Sequence, residues 1–362
     1  MSSLTDDVAA AQAAKDAARD AERAERLQHD TRRRNERLTR ENAELRDEIG
    51  SLHRRLDLIS SIEAAVPEPP KWLRAPSKGG HRGIVSLVLS DTHFDEVVRP
   101  EQIDFLNAYN RGIAEQRTRA AFEKTIVLAR DYVKGIDYDG AALFLTGDLL
   151  SGNIHDELKQ TNEGTLFEAV EHWLDPLIAG ITMLADDFGK LVVPCVVGNH
   201  GRMTRKPVAK NRAQDNVEWL VYKALERHFR GDERVTFMVS DAADVTVPLY
   251  ATTFLATHGD QFRGGSGISG AMAPLLLGQH RKTRRQMAAG KPFDWLVMGH
   301  WHQYMSGKGL IVSGSMKGYD EYAFVSNFVP EPPQLAWWIT TPENGVTISA
   351  PVLPADREAE GW

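Results

Sequence analysis

From Ile84 onward the chain alternates short apolar runs with amphipathic stretches, and several of the runs stop at a polar residue. IVSLVLS (84–90) ends at Asp91, AALFLT (141–146) at Gly147-Asp148, and LVVPCVV (191–197) at Gly198-Asn199-His200. Helical stretches fall between them, about Asn110 to Lys134 and about Thr165 to Phe188. Apolar runs of this length, rich in β-branched residues and separated by helices, read as buried strands of an α/β fold. Strand ends in such folds share one rim, which is where open α/β sheets place their sites. Further on, VTFMV (235–239), VTVPLYATTFLAT (245–257), DWLVMG (294–299), LIVSG (310–314) and LAWWITT (335–341) make the second half richer in strands. The expectation is a second sheet packed on the first, a two-sheet αββα sandwich.

The start of the chain obeys a different rule. From about Asp6 to Ile62 there is no Pro and a single Gly, with many Ala, Glu and Arg. Leu38, Leu45, Leu52 and Ile59 are spaced by seven, and Asn35, Asn42, Ile49 and Leu56 take the complementary positions. Alternating steps of three and four give a narrow apolar seam, the pattern of a coiled coil. Asn at such positions favours a parallel, in-register dimer at some cost in stability. Earlier, Ala14, Ala17, Ala21 and Ala24 occupy the extrapolated seam, which weakens the coil or lets it pack closer. The alternative is one solvated helix packed on its own domain. Pro67, Pro69 and Pro70 end the helix, because proline lacks the N–H and restricts its predecessor. The expected plan is a coiled-coil helix and dimer contact over 1–65, a Pro-rich linker over 66–82, the α/β domain over 83–350 and a flexible tail over 351–362. Trp72 and Leu73 are the linker residues expected to dock on the domain.

Composition narrows the setting. The 362 residues carry a formal net charge of −7, which argues against a general nucleic-acid or membrane surface while leaving room for a local basic groove. Cys195 is the only cysteine, so no internal disulfide forms, and within LVVPCVV it reads as a small buried hydrophobe. The N-terminus lacks a signal-peptide core, and no run approaches the roughly 18 apolar residues of a membrane span. A cytoplasmic location without membrane contact is expected.

Five motifs lie at the ends of apolar runs: Asp91-Thr92-His93, Gly147-Asp148, Gly198-Asn199-His200, His258-Gly259-Asp260 and Gly299-His300-Trp301-His302. Each alone is a weak signal, since a lone His or Asp beyond a strand is common. Together they offer carboxylate, amide and imidazole donors without a thiolate, a set suited to divalent transition metals. Two such cations roughly 3.5–4 Å apart can share a bridging carboxylate and a bridging water, lowering the water's pKa and neutralising charge on a phosphoryl group. Gly147, Gly198 and Gly299 precede ligands where a sharp turn or close approach excludes a β-carbon.

The order D-x-H, G-D, G-N-H, H, G-H-x-H resembles the calcineurin-like metallophosphoesterase superfamily over roughly residues 84–316. The resemblance implies that Asp91, His93 and His302 ligate a first metal, that Asn199, His258 and His300 ligate a second, and that Asp148 bridges them. It also implies that His200 contacts the phosphate or protonates the leaving oxygen, a role that suits imidazole. The family's usual metals are Mn, Fe, Zn or Ni, with Mn a common activator of its nucleases. Gly201-Arg202 follows the third motif, where the protein-phosphatase branch usually has Glu, and the second reads GDLLSGN rather than that branch's longer signature. Both departures point away from a Ser/Thr protein phosphatase.

Two basic stretches bear on the substrate. Arg202, Arg205, Lys206, Lys210 and Arg212 follow the third motif, and His280, Arg281, Lys282, Arg284, Arg285 and Lys291 precede the fifth. Beside the metals they would attract an anionic backbone, with Arg202, Arg205 and Lys206 as the candidate substrate contacts; otherwise they are solvated surface. The glycine-rich RGGSGISG (263–270) is either a phosphate-approaching loop or a flexible one. The leading expectation is a phosphodiesterase acting on DNA or RNA, similar to the nuclease subunits of double-strand-break repair complexes. The alternatives are a hydrolase of nucleotides, cyclic nucleotides or other small phosphate esters, including monoesters, and a non-enzymatic coiled-coil assembly protein with a vestigial site. The coil joined to a lone phosphoesterase, with GSMKGYDEYAF after the fifth motif, also resembles proteins encoded by bacteriophages.

Overall fold

A computed structural model describes residues 19, 23, 26–29, 31–43, 45–47, 49–50, 53, 69–74, 81–263 and 272–362, in two compact units divided after residue 63. In the first unit the described residues are helical. Leu38, Leu45 and Ile49 of the heptad seam are 40%, 55% and 51% exposed, and Asn35 and Asn42 are exposed with them. Arg32 pairs with Glu36 and Arg37 with Glu41 at helical spacing. Leu52, Leu56, Ile59 and the alanine seam lie outside the described residues.

The second unit contains β1 (Arg82–Leu89), β2 (Asp137–Leu145), β3 (Leu191–Cys195), β4 (Val235–Val239), β5 (Asp244–Leu249), β6 (Thr252–Thr257), β7 (Trp295–Met298), β8 (Met305–Gly307), β9 (Leu310–Val312), β10 (Leu335–Thr341) and β11 (Gly345–Val352). One sheet runs β11-β10-β1-β2-β3-β4 and the other β5-β6-β7-β9-β8. Strands β1 to β4 are parallel to one another, as are β6, β7 and β9. β1 shows why the sequence carries so few polar positions in these runs. Ile84 and Val88 pack into the core between the sheets, while Val85, Leu87 and Leu89 pack under helices, so both faces are buried.

The helices cover the outer faces. Arg111–Val127 and Leu166–Phe188 lie on the first sheet, with Ala121, Phe122, Trp173, Leu177 and Ile181 in that core. Asn110 caps the former, accepting from Ile113 N at 2.9 Å, and a Thr165–Glu168 capping box starts the latter. Met272–Ala288 covers the second sheet through Leu275, which packs with Leu255, Leu296, Met298 and Leu310. Between the sheets Trp338 is fully buried, its ring 5.2 Å from Phe144 and 5.6 Å from Phe254. Truncating such a residue to Ala costs about 3–5 kcal/mol.

Several expectations change here. LAWWITT, read with the β-rich second half, forms β10 and returns to the first sheet, pairing antiparallel with β1. VTVPLYATTFLAT splits into β5 and β6, which pair antiparallel across Tyr250-Ala251. Trp72 and Leu73 do reach the core: Leu73 is fully buried between the sheets, and its carbonyl accepts from Tyr250 N at 2.7 Å. The first strand begins at Arg82 and the last ends at Val352. The stretch 351–362 is not a free tail. Buried Arg117 donates to both carboxylate oxygens of Glu360, at 2.8 and 2.7 Å, and Lys124 Nζ donates to Leu353 O. A buried guanidinium needs such a partner, so the pair holds the C-terminal residues on the first helix. Among the described residues no helix is long and apolar enough to cross a membrane.

Candidate metal centre

The five motifs all lie just beyond the C-terminal ends of parallel strands: β1, β2 and β3 of one sheet, β6 and β7 of the other. Each chain must turn sharply there to aim a side chain back at the rim. Asp91, His93, Asp148, His300 and His302 accordingly adopt left-handed backbone, with φ of 50°, 44°, 52°, 67° and 53°. Non-glycine residues in this region cost of order 1–3 kcal/mol each and persist when the surroundings fix them. Here Asp91 N donates to Gly147 O and His93 N to Asp148 O, both at 3.1 Å, and Ser315 Oγ donates to Asp91 O at 2.8 Å. A Cβ on Gly198 would overlap Asp148 Oδ1, and one on Gly299 would overlap Asp91 Oδ2. Only glycine permits those approaches.

The side chains converge in overlapping groups. Asp91, His93 and His302 offer ligand atoms within 4.8 Å of one another, as do Asp148, His258 and His300, and also His93, Asp148 and His200. Asp148 therefore belongs to both sides. Its Oδ1 accepts from His200 N at 2.7 Å, and its Oδ2 lies 3.0 Å from His258 Nε2. That same nitrogen is 3.1 Å from Asn199 Oδ1, while His93 Nε2 and His302 Nε2 face each other at 3.2 Å. His258 Nδ1 meets Thr146 O at 2.8 Å, and His200 Nδ1 meets Ser151 O at 2.8 Å. His258 thus turns one nitrogen to a backbone carbonyl and the other inward, the usual posture of a ligating imidazole. All eight sequence-derived residues meet at one place.

Burial and charge set their protonation. Burial alone would raise Asp91, but the hydrogen bond and charge of His302 prevail and bring it to about 2. Burial is likewise overcome at Asp148, which His258 and His200 hold well below the usual carboxylate range. At His93 burial, helped by Lys317 and His200, lowers the imidazole to about 4, and burial with His258 nearby lowers His300 to about 4. His258 goes the other way: burial opposes its charge, yet Asp148 raises it to about 10. Carboxylate, amide and imidazole atoms packed so closely fit divalent cations of the borderline, nitrogen- and oxygen-binding kind.

Residues outside the motifs support the centre. Glu96 Oε2 lies 3.3 Å from His93 Nδ1, and buried Lys317 donates to Glu96 at 2.7 Å and Asp320 at 2.5 Å. Lys317 stands beyond the end of β9, a sixth strand end at the same rim. Glu218 is fully buried, accepting from Leu149 N at 2.6 Å and Gly198 N at 2.7 Å, so it ties the turns after β2 and β3 together. Burial and the Asp148 charge push it up to about 7, against the pull of those two amides.

The basic stretches are placed elsewhere. Arg202 is half-buried and donates to Asn199 O at 3.0 Å, whereas Arg205 and Lys206 are exposed. Arg212 forms a two-pronged pair with Asp260, and Lys282 and Arg285 both pair with Asp244. Of the glycine-rich stretch, 264–270 lie outside the described residues. Cys195 is buried, and burial drives its thiol well up, as expected of a structural cysteine.

A cleft of about 470 Å³ opens on the centre, and His93, Asp148, Asn199, His200, His300 and His302 are among its lining residues. No protein-family model and no curated protein matches the sequence. Among solved structures the chain is similar to a dimetal phosphatase from Danio rerio, at 10% identity over 75% of this chain and 99% of that one, with a TM-score of 0.35. It is also similar to a putative 5'-nucleotidase from Staphylococcus aureus, at 12% identity over 76% and 55% of the two chains, with a TM-score of 0.34. Vacuolar protein sorting 29 from Cryptosporidium parvum matches at 14% identity over 74% and 96%, with a TM-score of 0.28. Residue geometry, rather than these likenesses, carries the functional reading.

Proposed function

We propose that the protein is a dinuclear metal-dependent hydrolase of phosphate esters. The observation that carries this is the double membership of Asp148, whose carboxylate groups with His258 and His300 on one side and with His93 on the other, in a cluster built from five strand ends. Asp91, His93 and His302 would hold one divalent ion and Asn199, His258 and His300 the other, with Asp148 shared. Bound there, the metals supply an activated water near neutral pH and charge neutralisation at the phosphoryl group. Mn is the first choice, and Fe, Zn and Ni suit the same donors.

The chain's own residues do the rest. His200 is anchored by Asp148 Oδ1 at its amide and by Ser151 O at Nδ1, leaving Nε2 free for the phosphate or the leaving oxygen. A proton held at that atom and given to the departing oxygen is general acid catalysis. Hydrogen bonds at the Asp91 and Asp148 backbone hold these left-handed turns and keep the carboxylates at the rim.

A small organic phosphate is the ester that fits best, because Lys317 is the only Lys or Arg among the described residues lining the cleft and it is engaged by two carboxylates. The nuclease reading draws on Arg205 and Lys206, which are exposed on the segment after His200. Hydrolysis with added Mn is tested on p-nitrophenyl phosphate, bis-p-nitrophenyl phosphate, single-stranded DNA and duplex DNA. Turnover of the small esters supports the first reading, turnover of DNA the second, and no turnover of any substrate contradicts both. The exposed Leu38, Leu45 and Ile49 seam supports a homodimer through the N-terminal helix. Sedimentation of the full chain tests it, and a monomer at high micromolar concentration contradicts it.

A further inference from the structure

The part of the cleft lining outside the metal ligands and their supports differs in chemistry. Tyr319, Tyr322, Ala323, Phe328, Val329 and Pro332 line it. Tyr322 is 70% exposed, Phe328 52% and Val329 79%, and the Tyr322 and Phe328 rings sit 6.0 Å apart at 79°. Large apolar side chains left in water beside a polar centre gain by being covered, and two edge-to-face rings present a face for a third.

The wall is held firmly. Asp320 caps the short helix Glu321–Val325, accepting from Ala323 N at 2.7 Å, and its other oxygen takes the Lys317 ammonium at 2.5 Å. Tyr319 OH donates to Phe328 O at 2.9 Å, and Phe328 N donates to Ala323 O at 2.9 Å. Lys317 also reaches Glu96, which faces His93. One buried cation therefore joins the carboxylate beside His93 to the aromatic wall. Other charges on the lining are carboxylates: Glu157 is exposed, and Glu331 accepts from Tyr304 N and Gln334 Nε2. Nothing on this side invites a second phosphate.

We propose that Tyr322 and Phe328 form a subsite for a planar aromatic group attached to the phosphate, either a simple aryl group or a nucleobase. The inference rests on the phosphoesterase reading and names its substrate class. With the phosphoryl group at the metal ligands, an attached ring lies in the same cleft as Tyr322 and Phe328. Stacking against such a pair strengthens binding by about three- to tenfold beyond burial alone.

The test is calorimetric titration of the Mn-loaded full chain with phenylphosphonate and with methylphosphonate, which are not hydrolysed. Phenylphosphonate should bind roughly tenfold tighter. Tyr322→Ala and Phe328→Ala should each shrink that ratio while leaving methylphosphonate unchanged, and both side chains are exposed enough to be removed without unfolding the domain. A nucleoside 5'-phosphorothioate compared with ribose 5-phosphorothioate separates the sources. A matching gain assigns a nucleobase, and a gain for phenyl alone assigns a small aryl group. Equal affinity for the two phosphonates, or a ratio unmoved in both variants, overturns the subsite and leaves the phosphoesterase reading standing. No binding of either phosphonate overturns that reading, and the subsite with it.

Discussion

The two sides of the candidate metal centre share imidazole donors but are held by different forces. Beside His93 the support is a buried ion network: Glu96 at 3.3 Å, then Lys317 and Asp320 at 2.7 and 2.5 Å in turn. Beside His258 and Asn199 each bond ends on a backbone group: Thr146 O meets His258 Nδ1, Arg202 donates to the Asn199 carbonyl, and Glu218 gathers the amides of Leu149 and Gly198. A network of buried charges is strong while complete and costly once a member is lost. A carbonyl fixed at the end of a strand moves only if the sheet does. The first side should therefore be the tunable one and the second the rigid one, with Asp148 common to both.

The largest expected effect comes from removing what the two sides share. Asp148→Ala should weaken both metals, so elemental analysis should find one ion or none per chain and hydrolysis should fall below detection. His200→Ala separates chemistry from metal binding. Its rate should drop roughly 10²–10⁴-fold with metal content unchanged, as for a lost general acid. Intact turnover in that variant contradicts the assignment. Glu96→Gln then probes the asymmetry. Loss of an outer carboxylate typically costs about 10–100-fold in metal affinity. One of the two binding isotherms should shift by that much while the other stays. Lys317 keeps Asp320 as its partner, which protects the fold. Shifts in both isotherms would erase the distinction between the sides.

Acid offers a gentler probe of the same comparison. His93 and His300 fall from an ordinary value near 6.5 to about 4 in the metal-free fold, so the folded state binds fewer protons than the unfolded one between those values. Their contribution to stability is complete above 6.5 and is lost as pH falls through 4. His258, raised to about 10, works in the opposite sense: its contribution is complete below 6.5 and disappears as pH rises through 10. The metal-free Tm should accordingly decline between pH 6.5 and 4, and a His300→Asn variant should decline less. The smallest effect is expected at the surface: Arg205→Glu with Lys206→Glu should change hydrolysis of small esters by less than about twofold, since exposed charges are screened.

Much of this was legible in the amino-acid order because strand ends are local. Runs such as IVSLVLS and AALFLT stop where their strands stop, and the turns beyond them carry candidate ligands. What could not be read locally depends on distance along the chain. Lys317 meets Glu96 across 221 residues, and Arg117 meets Glu360 across 243. The return of β10 to β1 is of the same kind, since LAWWITT suits either sheet equally well. β11, at the edge with only one face partly covered, lacks the apolar run that marks a buried strand. Glu96, three residues after His93, was the one nearby clue, because a carboxylate there can reach the ring's outer nitrogen. Glu218 gave no such sign, as its role is to join two turns that converge only in the fold.

The most direct test of the centre is anomalous diffraction from crystals grown with Mn. Two peaks are expected, one among Asp91, His93 and His302, the other among Asn199, His258 and His300, each with a carboxylate oxygen of Asp148 in its shell. A single peak, or two peaks that do not share Asp148, would contradict the account.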